Sequence, residues 1–207
     1  MNTNYFNSSV IKPIVKASAQ NAVFADGDIV FDWTGFEIPR GTAQLLGATI
    51  KIRAKGDAGQ TVQPAGIDLL FAKGPVPDAT PTSLGTANAE VTNFASADIV
   101  GAMPYGAADS FGLRTLYQST VSSSELVLEP NSNSGSNVGF DKFYVAGLAA
   151  GALNFESVLA VNGTDLAPGE QSVITVSGLD PTLNLVPGDV IHSSHDRVLG
   201  TILTVDG

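Results

Sequence analysis

The sequence predicts an all-β protein: an antiparallel β-sandwich or barrel-like (jelly-roll-like) domain with an extended N-terminal arm and little helix. Apolar residues alternate with polar ones over strand-length segments, and turn-forming residues interrupt them at intervals of roughly 8 to 15 residues. No apolar period of about 3.6 residues, the mark of an amphipathic helix, is sustained anywhere.

Residues 1–22 mix Asn, Ser and Thr with scattered apolar anchors and have no strand or helix period. They read as an extended arm that packs on its own domain or reaches a neighbour. Residues 23–207 read as a β-rich domain, with a division into two β subdomains possible near 131–139. The first strand signal starts after Asp28, where alternation places Ile29, Phe31 and Trp33 on one face. Thr49 to Ala54 gives the clearest signal, with Ile50, Ile52 and Ala54 inward and Lys51 and Arg53 outward, before the glycines Gly56 and Gly59 end it.

Ile67 to Ala72 is apolar on both faces except at Asp68 and predicts a central strand. The prolines Pro75, Pro77 and Pro81 exclude regular structure until about Leu84. A loop of that length suggests a functional or interfacial segment. Asn88 to Val100 supports a strand or a short helical turn, and we assign the helical turn. Leu113 to Val121 and Glu125 to Glu129 read as two further strands, and Asn131 to Asn137 as a long polar loop or linker. Phe140 to Val145 opens another strand. The last fifty residues carry four more, Ser157 to Val161, Ser172 to Val176, Val190 to Ser193 and Val198 to Val205, separated by turn sequences such as Pro187-Gly188-Asp189.

Only 14% of the chain is charged, so uncharged polar and small side chains cover much of its surface. The net charge of −10 opposes binding to nucleic acid, which requires clustered cations. The densest basic group, Lys51, Arg53 and Lys55, shares one strand face and reads as solvated, or as a contact with an acidic neighbouring subunit. The absence of cysteine excludes disulfides and thiolate metal sites. The N-terminus lacks the apolar core of a signal peptide, and Phe143 to Phe155 falls short of the ~20 residues of a membrane helix. The expectation is a soluble protein made in a cytoplasm, with no membrane partner.

Candidate chemistry is sparse. His192, His195, Asp196 and Asp189 are metal-ligating types, but a spacing of three on an extended segment puts the two imidazoles on opposite faces, so they read as loop residues. Ser194, His195 and Asp196 are the triad types as immediate neighbours, which cannot converge on one centre. Asp26, Asp28 and Asp32 lack the further oxygen ligands and closing Glu of a calcium loop and read as the solvated opening of a strand. Asn162-Gly163-Thr164 fits a glycosylation acceptor but reads as a turn. The expectation is no enzyme, and no catalytic, cofactor-binding or metal-binding residue.

The strand Ile67-Asp68-Leu69-Leu70-Phe71-Ala72-Lys73 with its Pro-rich exit, the Ser/Asn loop, and Phe140-Asp141-Lys142-Phe143-Tyr144-Val145-Ala146 together resemble virion structural proteins of tailed bacteriophages. The likeness spans residues 45–160 and is to the small capsid decoration or cement type. It implies a virion protein that binds the outside of a capsid and stabilises it, with the major capsid protein and itself, as a dimer or trimer, for partners. A glycan-recognising tail or surface module, with Gly74 to Leu84 and Asn131 to Asn137 as its specificity loops, is the second reading; a polysaccharide hydrolase is the third.

Overall fold

The computed structural model describes residues 9–13, 15, 22–39, 41–55, 59–76, 79–93, 98–112, 114–128, 140–155, 160–161, 176–177, 185–192 and 198–206. Strands and no helix are found among these residues. The chain is all-β, as its alternation predicts.

Four strands, β1 (Ile29–Pro39), β7 (Phe140–Ala149), β3 (Ile67–Lys73) and β4 (Asp98–Met103), form one antiparallel sheet in that order. A second antiparallel sheet has the order β2 (Ala43–Ile52), β6 (Leu116–Leu128), β5 (Ala107–Asp109). The principal core lies between the sheets. Phe31, Ile67, Leu69, Phe71, Phe143 and Val145 of the first sheet meet Ile52, Leu116 and Leu128 of the second.

Two buried glutamines use their side-chain amides as backbone partners, and the first of them joins the layers. Gln118 on β6 is fully buried. Its Oε1 accepts the Ile67 N–H at 2.9 Å and its Nε2 donates to the Ile67 carbonyl at 2.7 Å, so the side chain pairs with β3 as a neighbouring backbone would. Gln63 repeats the device with Asn154: Nε2 donates to the Asn154 carbonyl at 2.5 Å and Oε1 accepts its N–H at 3.0 Å. Buried backbone groups that no strand reaches are thereby satisfied.

The four-stranded sheet is buried on its other face too. Alternation along β3 and β7 sends Leu70, Ala72, Tyr144, Ala146 and Leu148 to a second core, completed by Leu84 and Val91 of the β3–β4 connection. That connection leaves β3, passes over the sheet and reaches the edge of β1 before returning to β4. The Trp33 indole N–H donates to the Thr82 carbonyl at 3.0 Å, and Asp32 accepts the Leu84 N–H at 3.2 Å. Backbone bonds between Ile29 and residues Asn88 and Ala89 close the strand edge. The Pro-rich segment, expected as a functional or interfacial loop without regular structure, ends as a structural strap, with Pro81 and Leu84 buried.

Several sequence readings are corrected. Ile29, Phe31 and Trp33 do not share a face: Phe31 enters the principal core, while Ile29 and Trp33 enter the second. Between Ile29 and Phe31, and again between Phe31 and Thr34, β1 has one residue more than β7, and each such bulge reverses the facing of the residues beyond it. Gly147 lies opposite Phe31, where a Cβ would come 2.2 Å from the ring, so glycine makes room for the reversed side chain. Asp98 to Val100 belongs to β4, not to a helical turn; backbone pairing with β3 overrides the ambiguous local pattern. The two strands expected over 113–129 are one, β6, which absorbs Ser122 to Glu125 as a wide irregularity opposite Leu46.

Of the N-terminal segment, Ile11 and Val15 pack against the principal core, and the Ser9 hydroxyl donates to the Glu37 carbonyl at 3.1 Å. The polar segment 131–139 lies outside the described residues. The next strand, β7, sits between β1 and β3. Beyond the sandwich, β8 (Ala160–Val161) pairs with β9 (Val176–Ser177), and β10 (Val190–His192) with β11 (Val198–Thr201).

Candidate contact face

Two features of the second sheet and the C-terminal hairpin set them apart from the buried body. On the three-stranded sheet, Leu116 and Gln118 point into the core, so Tyr117 and Ser119 point out. Pairing then aligns Asp109, Tyr117 and Lys51 in one row across the outer face, and Ala107, Ser119 and Thr49 in the next. The Lys51 ammonium stands 5.7 Å from the centre of the Tyr117 ring, a cation–π contact. Phe111 lies beside the same ring at 6.0 Å between centroids, tilted by 55°.

The turn between β5 and β6 holds Phe111 in place. Asp109 Oδ1 accepts the Phe111 N–H at 2.9 Å, and Phe111 and Gly112 both take positive φ, 50° and 74°. Glycine adopts this conformation freely, whereas for an aromatic residue it costs on the order of 1 kcal/mol or more. Phe111 is nevertheless 73% exposed, so its ring recovers little of that cost by burial.

The basic group is divided by the end of the strand. Lys51 and Arg53 lie on the solvent side, but β2 stops at Ile52 and Lys55 falls in the loop beyond it, its N–H bonded to the Thr61 carbonyl at 2.8 Å. Arg53 does not wait for a partner. Its two terminal nitrogens donate to both carboxylate oxygens of Asp189 at 2.6 and 2.7 Å, a bidentate pair linking the sandwich to the C-terminal hairpin. Burial pushes the Asp189 carboxyl up, but the hydrogen bonds from Arg53 and from the Val186 N–H, with the charges of Arg53 and Lys12, outweigh it and hold it below the ordinary aspartate value. The Asp189 bond raises the Arg53 guanidinium against the opposing effect of burial.

Asp189 belongs to the turn Val186-Pro187-Gly188-Asp189. Proline fixes φ at the second position, Gly188 supplies φ of 93° at the third, and the Asp189 N–H bonds to the Val186 carbonyl at 3.1 Å. The hairpin that follows this turn is, with its flanking residues, apolar and open to solvent: Val186, Val190, Val198, Leu199 and Leu203 are all exposed, Leu203 at 82%. Asp189 is thus committed to an ion pair and a turn, while His195 and Asp196, with Ser193 and Ser194, lie outside the described residues.

The acidic group at 26–32 serves the fold. Asp28 is buried and accepts the Ala25 N–H at 2.6 Å, and Asp32 accepts from Trp33 and Leu84, so the reading of a wholly solvated strand opening fails at both. No group of three or more His, Asp or Glu among the described residues is placed to hold a metal ion. Among the same residues no helix is long and apolar enough to cross a membrane. Asn162 to Thr164 and Asn131 to Asn137 fall outside them.

Sequence reading missed Phe111 and the exposed hairpin for different reasons. Asp109-Ser110-Phe111-Gly112 carries a turn signal, an Asp three residues before a Gly, but nothing in it says that the phenylalanine faces water. The apolar residues of Val198 to Val205 look like those of any buried strand, and only the structure shows Val198, Leu199 and Leu203 exposed. Comparison of the chain with protein-family models, curated proteins and solved structures finds no match.

Proposed function

We propose that the chain is a structural virion protein of the capsid decoration or cement type, docking on the outside of an assembled phage shell. Its partners in this reading are the major capsid protein and further copies of itself. The observation that carries the reading is the apolar C-terminal hairpin, exposed at Val186, Val190, Val198, Leu199 and Leu203 and held against the sandwich by Arg53 and Asp189. A two-stranded sheet is marginal in water, and an apolar surface laid over its exposed side chains stabilises it.

The sparse charge supports the same reading, because unpaired charge is what makes a surface costly to bury. Modest contacts repeated over a lattice add through multivalency. Co-sedimentation of the purified chain with undecorated capsids tests the proposal. The wild-type chain pellets with the particles, and a Val198→Asp/Leu199→Asp variant, altered only at exposed positions, stays in the supernatant. Equal sedimentation of both, or of neither, contradicts it.

A further inference from the structure

We propose that the open edge of β2 pairs with the same edge of a second copy of this chain, about a two-fold axis at Leu46 and Gly47, so that two three-stranded sheets join as one six-stranded sheet. The inference stands on the strand itself and does not depend on the capsid reading.

The other edges of the two sheets are guarded. Backbone bonds from Ile29 to Asn88 and Ala89, and the Ser9 hydroxyl at Glu37, close the edge of β1. β4 has six residues and opens on Asp98, and β5 has three and ends on Asp109. Short edge strands and edge charges discourage the addition of a further strand. β2 has neither guard: it runs for ten residues, with no charge and no proline from Ala43 to Ile50. Among the described residues β6 is its only backbone partner, so alternate N–H and carbonyl groups along the outer edge meet no strand. Its inward side chains show the same opening. Ala43, Leu45, Ala48 and Ile50 pack against the principal core yet are only half-buried, whereas Ile67, Leu69 and Phe71 of the central β3 are buried.

The facing of β2 selects the occupant. Alternation breaks at Leu46 and Gly47, both exposed, so Ala43 and Leu45 turn inward before the break and Ala48 and Ile50 after it. A strand of unbroken alternation matches that facing on one side of the break and opposes it on the other, because a shift of one residue sends every side chain to the opposite face. A second β2 running antiparallel carries the same break at the same place. With Leu46 opposite Gly47, the remaining pairs are Leu45 with Ala48, Gln44 with Thr49 and Ala43 with Ile50, each formed twice. Every pair agrees in facing, and every apolar pair sets a large side chain against a small residue. Such an edge is complementary to itself, as a two-fold interface requires. The span from Ala43 to Ile50 gives about 27 Å of pairing at about 3.4 Å per residue.

Sedimentation equilibrium of the full chain, without capsids, tests both the pairing and its register. The wild-type chain runs as a dimer. Gln44→Lys/Thr49→Lys sets like charges opposite each other in both copies of that pair and raises the dimer dissociation constant at least about tenfold. Gln44→Glu/Thr49→Lys sets opposite charges in the same places and leaves the dimer at least as tight as the wild type. Both positions are exposed in the single chain, so the core is untouched, and unchanged emission from the one tryptophan, Trp33 in the second core, shows that each variant is folded. A monomeric wild type overturns the proposal, as does a dimer that survives the paired lysines or is lost equally in both variants. A monomer that still sediments with capsids overturns this pairing and leaves the docking proposal standing.

Discussion

Gln118 shows at the level of single residues how the sandwich is secured: a polar side chain in the core joins two sheets by copying a backbone pair. Gln118→Leu fills similar volume but orphans the N–H and carbonyl of Ile67, each worth about 1–3 kcal/mol when buried unpaired. The expected loss is about 3 kcal/mol, read as a lower urea midpoint with unchanged slope. Gly147 tests the reversed facing of β1. Gly147→Ala forces its Cβ against Phe31 and destabilises by about 1–3 kcal/mol, the usual range for overpacking. Phe31→Leu in the same chain recovers part of the loss; independent, additive losses would contradict the contact. Neither role is legible in the sequence, because a glutamine at an alternating position reads as solvent-facing and a glycine in a strand reads as a weakness.

Among the elements, the strap and the hairpin differ in what holds them. The strap is anchored by apolar burial, and Leu84→Ala, at a site with no exposure, costs about 2–5 kcal/mol. The hairpin is anchored by Arg53 and Asp189, whose side chains remain 53% and 23% exposed, so the pair contributes no more than about 1 kcal/mol. Because the Asp189 carboxyl is held below its ordinary value in the folded protein, its contribution is complete above the unfolded aspartate pKa and is lost as pH falls through the folded one. Arg53 stays charged throughout. Acidification into and below the usual aspartate range therefore loosens the hairpin by up to that amount, and Asp189→Asn does so at neutral pH. Protection factors, corrected for the intrinsic exchange rate at each pH, fall at the Gly188 and Ile202 amides, which bond across the hairpin, in both cases while that of the Ile67 amide is unchanged. An equal fall at Ile67 would contradict a hairpin that opens separately. Alternation made β3, β7 and the second half of β2 legible, since each has a period of two or a run buried on both faces; residues 43–48 of β2, where the alternation breaks at Leu46 and Gly47, were not, and the strand ends at Ile52 rather than at Ala54. The bulges in β1, the irregularity in β6 and the course of the strap were not, because each is settled by the partner strand across the sheet.

For the whole molecule, the all-β architecture was legible because strand alternation, turn spacing and the lack of a helical period agree, and agreement across levels specifies a fold. The contact surfaces were not, since exposure depends on which layer is missing above a strand. The apolar hairpin and the weakly charged surface together suit the proposed docking of the chain, as a subunit, on a larger shell. Cryo-electron microscopy of capsids sedimented with the purified chain puts that docking to the test. Density for the sandwich is expected at regular positions on the outer capsid surface, with Val198, Leu199 and Leu203 turned toward the major capsid protein. Particles with no such density, or with the hairpin facing solvent, would contradict it.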